Sequence, residues 1–307
     1  HAWCPYCQKV WLWLELKQIP YRIKKVTMRC YGDKERWYLE KVPSGMLPAI
    51  EIQNHLITES DEILFVLEKI YGPLGQSLNE PEVLNHRRLE RELFSSWCNW
   101  LCRNSLFQAQ EEKKKENFRN IAKEFEKRLQ KNASGWITPI STENGERPGS
   151  ADVIFIPYVE RMNASLAYYK GYSLREEHPF INIWLKNLEQ LDEYRGTQGD
   201  FHTHAHDLPP QMGGCFSYSN SKQELFARKI DSGSGLGLLE LADLKIDTNS
   251  GREFEAIALE NGSENRNTFQ LSKYPYRNKC VFNKEIKSGQ KIKVKLTGID
   301  LWEKTAQ

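Results

Sequence analysis

Two cysteines, Cys4 and Cys7, stand three apart in "HAWCPYCQKVWLWLEL", with Pro5 and Tyr6 between them. A thiol at the start of a helix lies at the positive end of the helix dipole, beside free backbone N–H groups, and both favour the thiolate. Cys4 is the more N-terminal sulfur and the better nucleophile. Cys7, one turn along, is placed to resolve a mixed disulfide. The competing reading is a structural pair without chemistry. In "SGMLPAIE", Pro48 opens a strand after an irregular segment, where a cis peptide can serve. The backbone N–H and C=O of Leu47 would then face outward, free to pair with an extended peptide; an ordinary edge-strand proline is the alternative. In "ITESDEIL", Glu59 and Ser60 lie at a helix start, where backbone N–H groups attract an anion. A carboxylate bound there could use the Ser60 hydroxyl while Glu59 accepts an ammonium group. That pairing suits the α-amino-acid end of a γ-glutamyl peptide, against a plain helix cap.

The elements that must hold these residues alternate between α and β over the first 75 positions. Val10, Trp11 and Leu14 recur at helical spacing, so a helix is predicted from about Cys7 to Lys17. "YRIKKVTM" reads as a strand, "KERWYLEK" as helix, and "LPAIEIQNHLI" as a hairpin turning at Gln53-Asn54. "TESDEILFVLEKIYG" is a helix stopped at Gly72-Pro73. A Pro/Gly-rich linker follows, and the pattern from about Val83 to Arg195 is helical. "DFHTHAHDLPPQMGGCF" reads as loop. From Leu238 short alternating runs read as four or five strands of a small β domain. A CxxC at a helix start normally follows a buried strand, and only three residues precede Cys4. A strand is therefore expected N-terminal to His1.

The chain has 307 residues, enough for two or three domains. Lys and Arg total 43 against 41 for Asp and Glu, a net charge of +2. That balance gives no reason to expect nucleic-acid or membrane-surface binding. No apolar run approaches the ~18 residues of a membrane span. The seven cysteines are odd in number and scattered, which points to a reducing compartment rather than a disulfide scaffold.

"CPYCQKV", "KERWYLEKVPSGMLPAIE" and "TESDEIL" together resemble the glutathione transferase superfamily, in order and spacing, over nearly all of residues 1–200. They look most like the cysteine-type, omega-like branches. The segment after the helical region resembles the iota class of photosynthetic organisms. The resemblance implies an α/β thioredoxin-like, glutathione-binding domain over 1–75 with its first strand missing, and an all-helical domain over 76–200. A His/Gly/Pro-rich connecting segment would occupy 201–237, and the small β domain 238–307. It implies Cys4 as catalytic thiol with Cys7 as an optional second, and Tyr6 beside them. It further implies Lys34 near the glycyl end of glutathione, Leu47 as backbone partner, Pro48 in cis, and Glu59 with Ser60 on the γ-glutamyl group. "PGSADV" is similar to the family's capping motif, with Gly149 where Ser or Thr is usual.

A protein cysteine at this position implies thiol transfer through a mixed disulfide, as in deglutathionylation or dehydroascorbate reduction, with glutathione as the cofactor. The partners would be glutathione and a small or protein disulfide, in a chloroplast stroma or a cyanobacterial cytoplasm. The alternative is a non-enzymatic transferase-like subunit that binds a ligand or docks onto a larger, photosynthetic assembly; a homodimer is a further option. A glutathione-held iron–sulfur cluster at Cys4 is a lesser alternative. His202, His204 and His206 alternate and would share one face of a strand, but a polar loop is preferred to a zinc site there, so no metal is expected. Cys98 and Cys102 are read as lining the inter-domain face or core. Lysines alternating in "NKEIKSGQKIKVKL" are read as a solvated strand face rather than a nucleic-acid site.

Overall fold

The computed structural model describes residues 4–28, 31–143 and 145–232, together with the backbone of six strands between 253 and 306. Helix α1, Pro5–Leu16, starts on Cys4 as its N-cap with a proline in the first turn. It is buried on almost every side: Trp13 and Leu12 are wholly enclosed, and even Gln8 and Lys9 are buried. The short helix α2 spans Arg36–Lys41. Strands β1, Ala49–Ile52, and β2, His55–Thr58, pair antiparallel with Ala49 opposite Thr58. Gln53 and Asn54 both take positive φ (50° and 66°), the geometry of a tight turn matched to strand twist. Helix α3 covers Ser60–Tyr71 and ends on Gly72.

One early expectation is corrected. "YRIKKVTM" forms no strand; residues 21–28 have no ladder among the described residues. Tyr21, Arg22, Lys24 and Val26 from this segment instead wall a groove of about 730 Å³ whose other sides include Leu14, Ile50, Ile52 and Leu67, while Ile23 is exposed. Alternation creates a two-faced segment, but a strand needs a neighbour to pair with.

Helices α4 (Pro81–Leu101), α5 (Gln108–Leu129) and α6 (Ser150–Lys170) form the body of the second half. A small hairpin, β3 (Ile140–Thr142) with β4 (Gly145–Arg147), interrupts the helical run and was not legible in the periodicity. α6 is buried all round, so it shows little amphipathic contrast and sits at the centre. Helices α7 (Leu174–Glu177), α8 (Pro179–Glu189) and α9 (Asp192–Thr197) close the far side. Trp97, Trp100, Phe118, Phe125, Phe155 and Trp184 fill the core between them. A second core joins the two halves: Val10, Trp13, Ile63 and Leu67 pack with Val83, Val153 and Ile154.

The supposed loop after residue 200 is also corrected. Residues Phe201–Asp207 form α10, Pro209–Met212 form α11, and Ser221–Ser232 form α12. Asp200 caps α10 by accepting from the Thr203 N–H at 2.7 Å. Phe201 and Ala205, four apart, bury one face against Ala164 and Ala167 of α6. Three alternating histidines mask that i, i+4 signal. On a helix, His202 and His206 share a face while His204 points inward, so the three do not converge as they would on a strand.

Of the expected β domain, the structure describes strand backbones only: β5 (Glu253–Ala258), β6 (Asn267–Leu271), β7 (Arg277–Cys280), β8 (Lys291–Lys295), β9 (Ile299–Asp300) and β10 (Thr305–Ala306). Four pair antiparallel in the order β7-β6-β5-β8. The segments between them lie outside the described residues, and so do Cys30 and His1 to Trp3.

Candidate functional site

Cys4 is buried at the α1 N-cap, and its Sγ accepts from the Cys7 backbone N–H at 3.4 Å. The Cys7 thiol also donates to it, and this is the strongest influence on Cys4. Burial opposes ionisation, but the Cys7 N–H and the Arg161 guanidinium add to the thiol's effect, and the pKa falls to about 6. Cys7 moves the other way, well above the ordinary thiol range, because its S–H donates a hydrogen bond to the Cys4 sulfur and its surroundings are largely desolvated. The pair is thus asymmetric: Cys4 carries the negative charge and Cys7 keeps the proton.

Met28 and Leu47 pack against Cys4 and Cys7. The Leu47–Pro48 peptide bond is cis. The Tyr38 hydroxyl donates to the Met46 carbonyl and steadies the approach to that bend. Because Ala49 pairs with Thr58, Pro48 and Glu59 emerge from the same end of the hairpin. Glu59 then sits at φ 63° and ψ 116°, a region that non-glycine residues enter only under constraint. Its side chain is exposed, while Ser60 is buried at the first position of α3. Sequence residues 4, 7, 47, 48, 59 and 60 therefore meet in one corner. Lys34 stands further out, its Nζ donating to the Thr27 carbonyl at 2.9 Å, next to Met28.

Tyr6 faces the helical half. Its ring meets Tyr158 edge-on at 6.1 Å, and Tyr158 meets Phe94 at 5.3 Å. The Arg91 guanidinium lies over both Phe94 (4.5 Å) and Tyr158 (4.7 Å) while Glu90 grips it with two hydrogen bonds. These rings and the paired guanidinium form one packed cluster between Tyr6 and the helical half. Cys98 and Cys102 pack against the helical core, as does Cys215. Cys215 donates to Cys102, which lowers the Cys102 pKa against burial.

Several residues that sequence reasoning missed hold the site from behind. Gln8, one turn into α1, donates to Glu160 at 2.8 Å and accepts from Arg161 at 2.8 Å. Glu160 also accepts from the Gly199 N–H at 2.8 Å and from His204 at 2.6 Å. Burial would raise the Glu160 pKa, but the His204 hydrogen bond and the Arg161 charge outweigh it and hold the carboxyl low. Asp61 in the first turn of α3 is gripped by both Lys9 and Arg87. These partners lie up to about 150 positions apart, so no local pattern could have signalled them.

Residues 3–70 match the family model for the glutathione S-transferase N-terminal domain. Two solved structures share the architecture: a dehydroascorbate reductase from Chlamydomonas reinhardtii (TM-score 0.53, 21% identity, 68% of this chain and 89% of that one) and a glutathione S-transferase from the Antarctic clam Laternula elliptica (TM-score 0.54, 21% identity, 73% and 94%). The fold is that of a glutathione S-transferase, with a thioredoxin-like N-terminal domain and a helical domain after it. Among curated relatives, glutathione S-transferase DHAR3, chloroplastic, of Arabidopsis thaliana is 25% identical over 197 residues, covering 64% of this chain and 69% of that protein. Probable glutathione S-transferase DHAR2, chloroplastic, of rice is 25% identical, and the chain spans 64% of its length. Glutathione S-transferase omega-1 of Mus musculus is 24% identical over 61% of this chain and 73% of its own. These likenesses support a place in the glutathione S-transferase superfamily.

Proposed function

We propose that the chain is a glutathione-dependent thiol transferase of the cysteine type, working through a mixed disulfide on Cys4. The single observation that carries this is the placing of the Cys4 sulfur at the α1 N-cap, where the Cys7 N–H donates to it at 3.4 Å and the surroundings favour its thiolate. In the first step the Cys4 thiolate attacks the glutathionyl sulfur of a mixed disulfide. A Cys4–glutathione disulfide forms and the substrate thiol leaves, taking a proton from solvent. A second glutathione, as thiolate, attacks that disulfide; oxidised glutathione departs and Cys4 regains its negative charge. Dehydroascorbate reduction would instead consume two reduced glutathiones, one to form the Cys4–glutathione disulfide as ascorbate leaves and one to release it as oxidised glutathione.

Glutathione is assigned to the corner described above: its backbone along Leu47 ahead of cis-Pro48, its γ-glutamyl carboxylate at Ser60 and the α3 N–H groups, its ammonium on Glu59, and its glycyl end toward Lys34. Tyr6 would flank the sulfur. Cys7 is optional as a resolving thiol. The reading extends to a chloroplast stroma, which the chloroplastic relatives support over a cyanobacterial cytoplasm, and to the iota class, which rests on the sequence resemblance alone. It also extends to a division at 75, 200 and 237, with residues 238–307 as a small β domain able to dock a partner.

The test uses glutathione and a glutathionylated peptide. Cys4→Ser should abolish transfer, and Cys7→Ser should retain much of it. Unchanged activity in Cys4→Ser, or loss confined to Cys7→Ser, would overturn the assignment.

A further inference from the structure

Helices α10 and α12 lie side by side on α6, locked by Phe201 and Ala205 from one and Phe226 and Ile230 from the other. Their outer faces bring three metal-ligating side chains together. His202 and His206, one turn apart on α10, stack with ring centroids 4.3 Å apart. Asp231, next to the anchored Ile230, accepts a hydrogen bond from the His206 Nε2 at 2.8 Å. One ligand atom from each of the three residues falls within 4.8 Å of the other two. This is independent of the glutathione corner.

We propose that His202, His206 and Asp231 bind one divalent ion of the zinc class, clasping α12 to α10. Two imidazoles and one carboxylate suit zinc: hard magnesium and calcium sites are built from oxygen alone, and copper(I) takes sulfur. Donors in a tetrahedral zinc shell are about 3.3 Å apart at bond lengths of about 2.0 Å, so small side-chain rotations close the triangle around an ion. The orienting shell is already in place. Tyr168 donates to Asp231 Oδ2 at 3.2 Å, which leaves Oδ1 to face the histidines, and its ring meets His206 edge-on at 5.1 Å. Three protein ligands leave a fourth position for water. His204 takes no part, since it is buried and its Nε2 is committed to Glu160.

The experiment titrates the chain, without a polyhistidine tag, with zinc by calorimetry and with cobalt(II) by visible absorption. One equivalent is expected to bind, raising Tm and giving d–d bands without a thiolate-to-cobalt charge-transfer band. His206→Ala and Asp231→Asn should abolish the binding and the Tm increment while leaving the metal-free Tm nearly unchanged. Tyr168→Phe should weaken zinc about 10-fold through the lost orienting bond. A thiolate charge-transfer band, an affinity indifferent to His206→Ala, or no stoichiometric binding would each overturn the proposal.

Discussion

At the scale of single residues, the asymmetry of the two thiols has a direct consequence. The fraction of Cys4 open to alkylation should rise with pH through about 6. The Cys7 thiol is the strongest influence holding it there, so Cys7→Ala should move that midpoint up toward the free-thiol range of about 8.5. Rapid iodoacetamide labelling against pH reads both; an unmoved midpoint would assign the effect to the helix end and Arg161 instead. Glu59 presents the opposite trade. Its φ of 63° with ψ of 116° costs on the order of 1 kcal/mol for a residue with a Cβ. Glu59→Gly should therefore raise stability in urea by about that amount while weakening glutathione binding, since the ammonium partner is gone. Stability and affinity moving in opposite directions is the signature of a constraint kept for binding.

At the scale of elements, the start of α6 shows why a glycine replaces the usual hydroxyl residue at its cap. A Cβ on Gly149 would come within 2.1 Å of the Thr138 carbonyl oxygen. The cap function is supplied from outside: the Thr138 hydroxyl accepts from the Ala151 N–H at 3.1 Å, where a cap serine's own oxygen would otherwise serve. Asp152 completes the turn by accepting from Gly149, Ile137 and Thr138 N–H groups and from the Trp184 indole. Gly149→Ser, a better cap by composition, should thus destabilise by roughly 2 kcal/mol or more, because backbone rather than a flexible side chain must yield. Thr138→Val should cost about 1 kcal/mol through the lost cap. Chemical denaturation of the two variants decides the order; a more stable Gly149→Ser would refute the clash.

At the scale of the whole molecule, three buried histidines make the chain sensitive to acid. Burial pushes His86 down to about 4 and also lowers His178 and His204, the last with help from Arg161. A depressed folded pKa means the unfolded chain binds the proton first. Stability is therefore full above about 6.5 and is lost as pH falls from there toward 4. At about 1.4 kcal/mol per unit, His86 alone accounts for a loss of roughly 3 kcal/mol over that whole window. His86→Leu should flatten the fall in Tm between pH 6.5 and 4.5 and leave neutral-pH stability little changed; an unaltered slope would place the acid response in the other two. His204 matters for a second reason. Through Glu160 and Gln8 it ties α10 to α1, and the Tyr31 hydroxyl, donating to Asp207, adds a tie from the segment after Met28. Helix α10 is thus built into the back of the thiol site.

Local chemistry was legible in the sequence wherever one turn or one strand pair sufficed. Cys4 and Cys7 lie within one helical turn, Gln53-Asn54 names its own hairpin turn, and the apolar repeat of α3 follows its polar start directly. These depend on backbone geometry over a few residues, which side-chain type encodes. Tertiary structure alone decided the rest. It withheld a ladder from residues 21–28, folded the histidine-rich stretch into α10 because α6 offers it an apolar face, and set Arg161 and Gln8 behind Cys4. Pairing partners, buried faces and charges brought from distant positions exist only once the chain has closed on itself, and no local pattern records them.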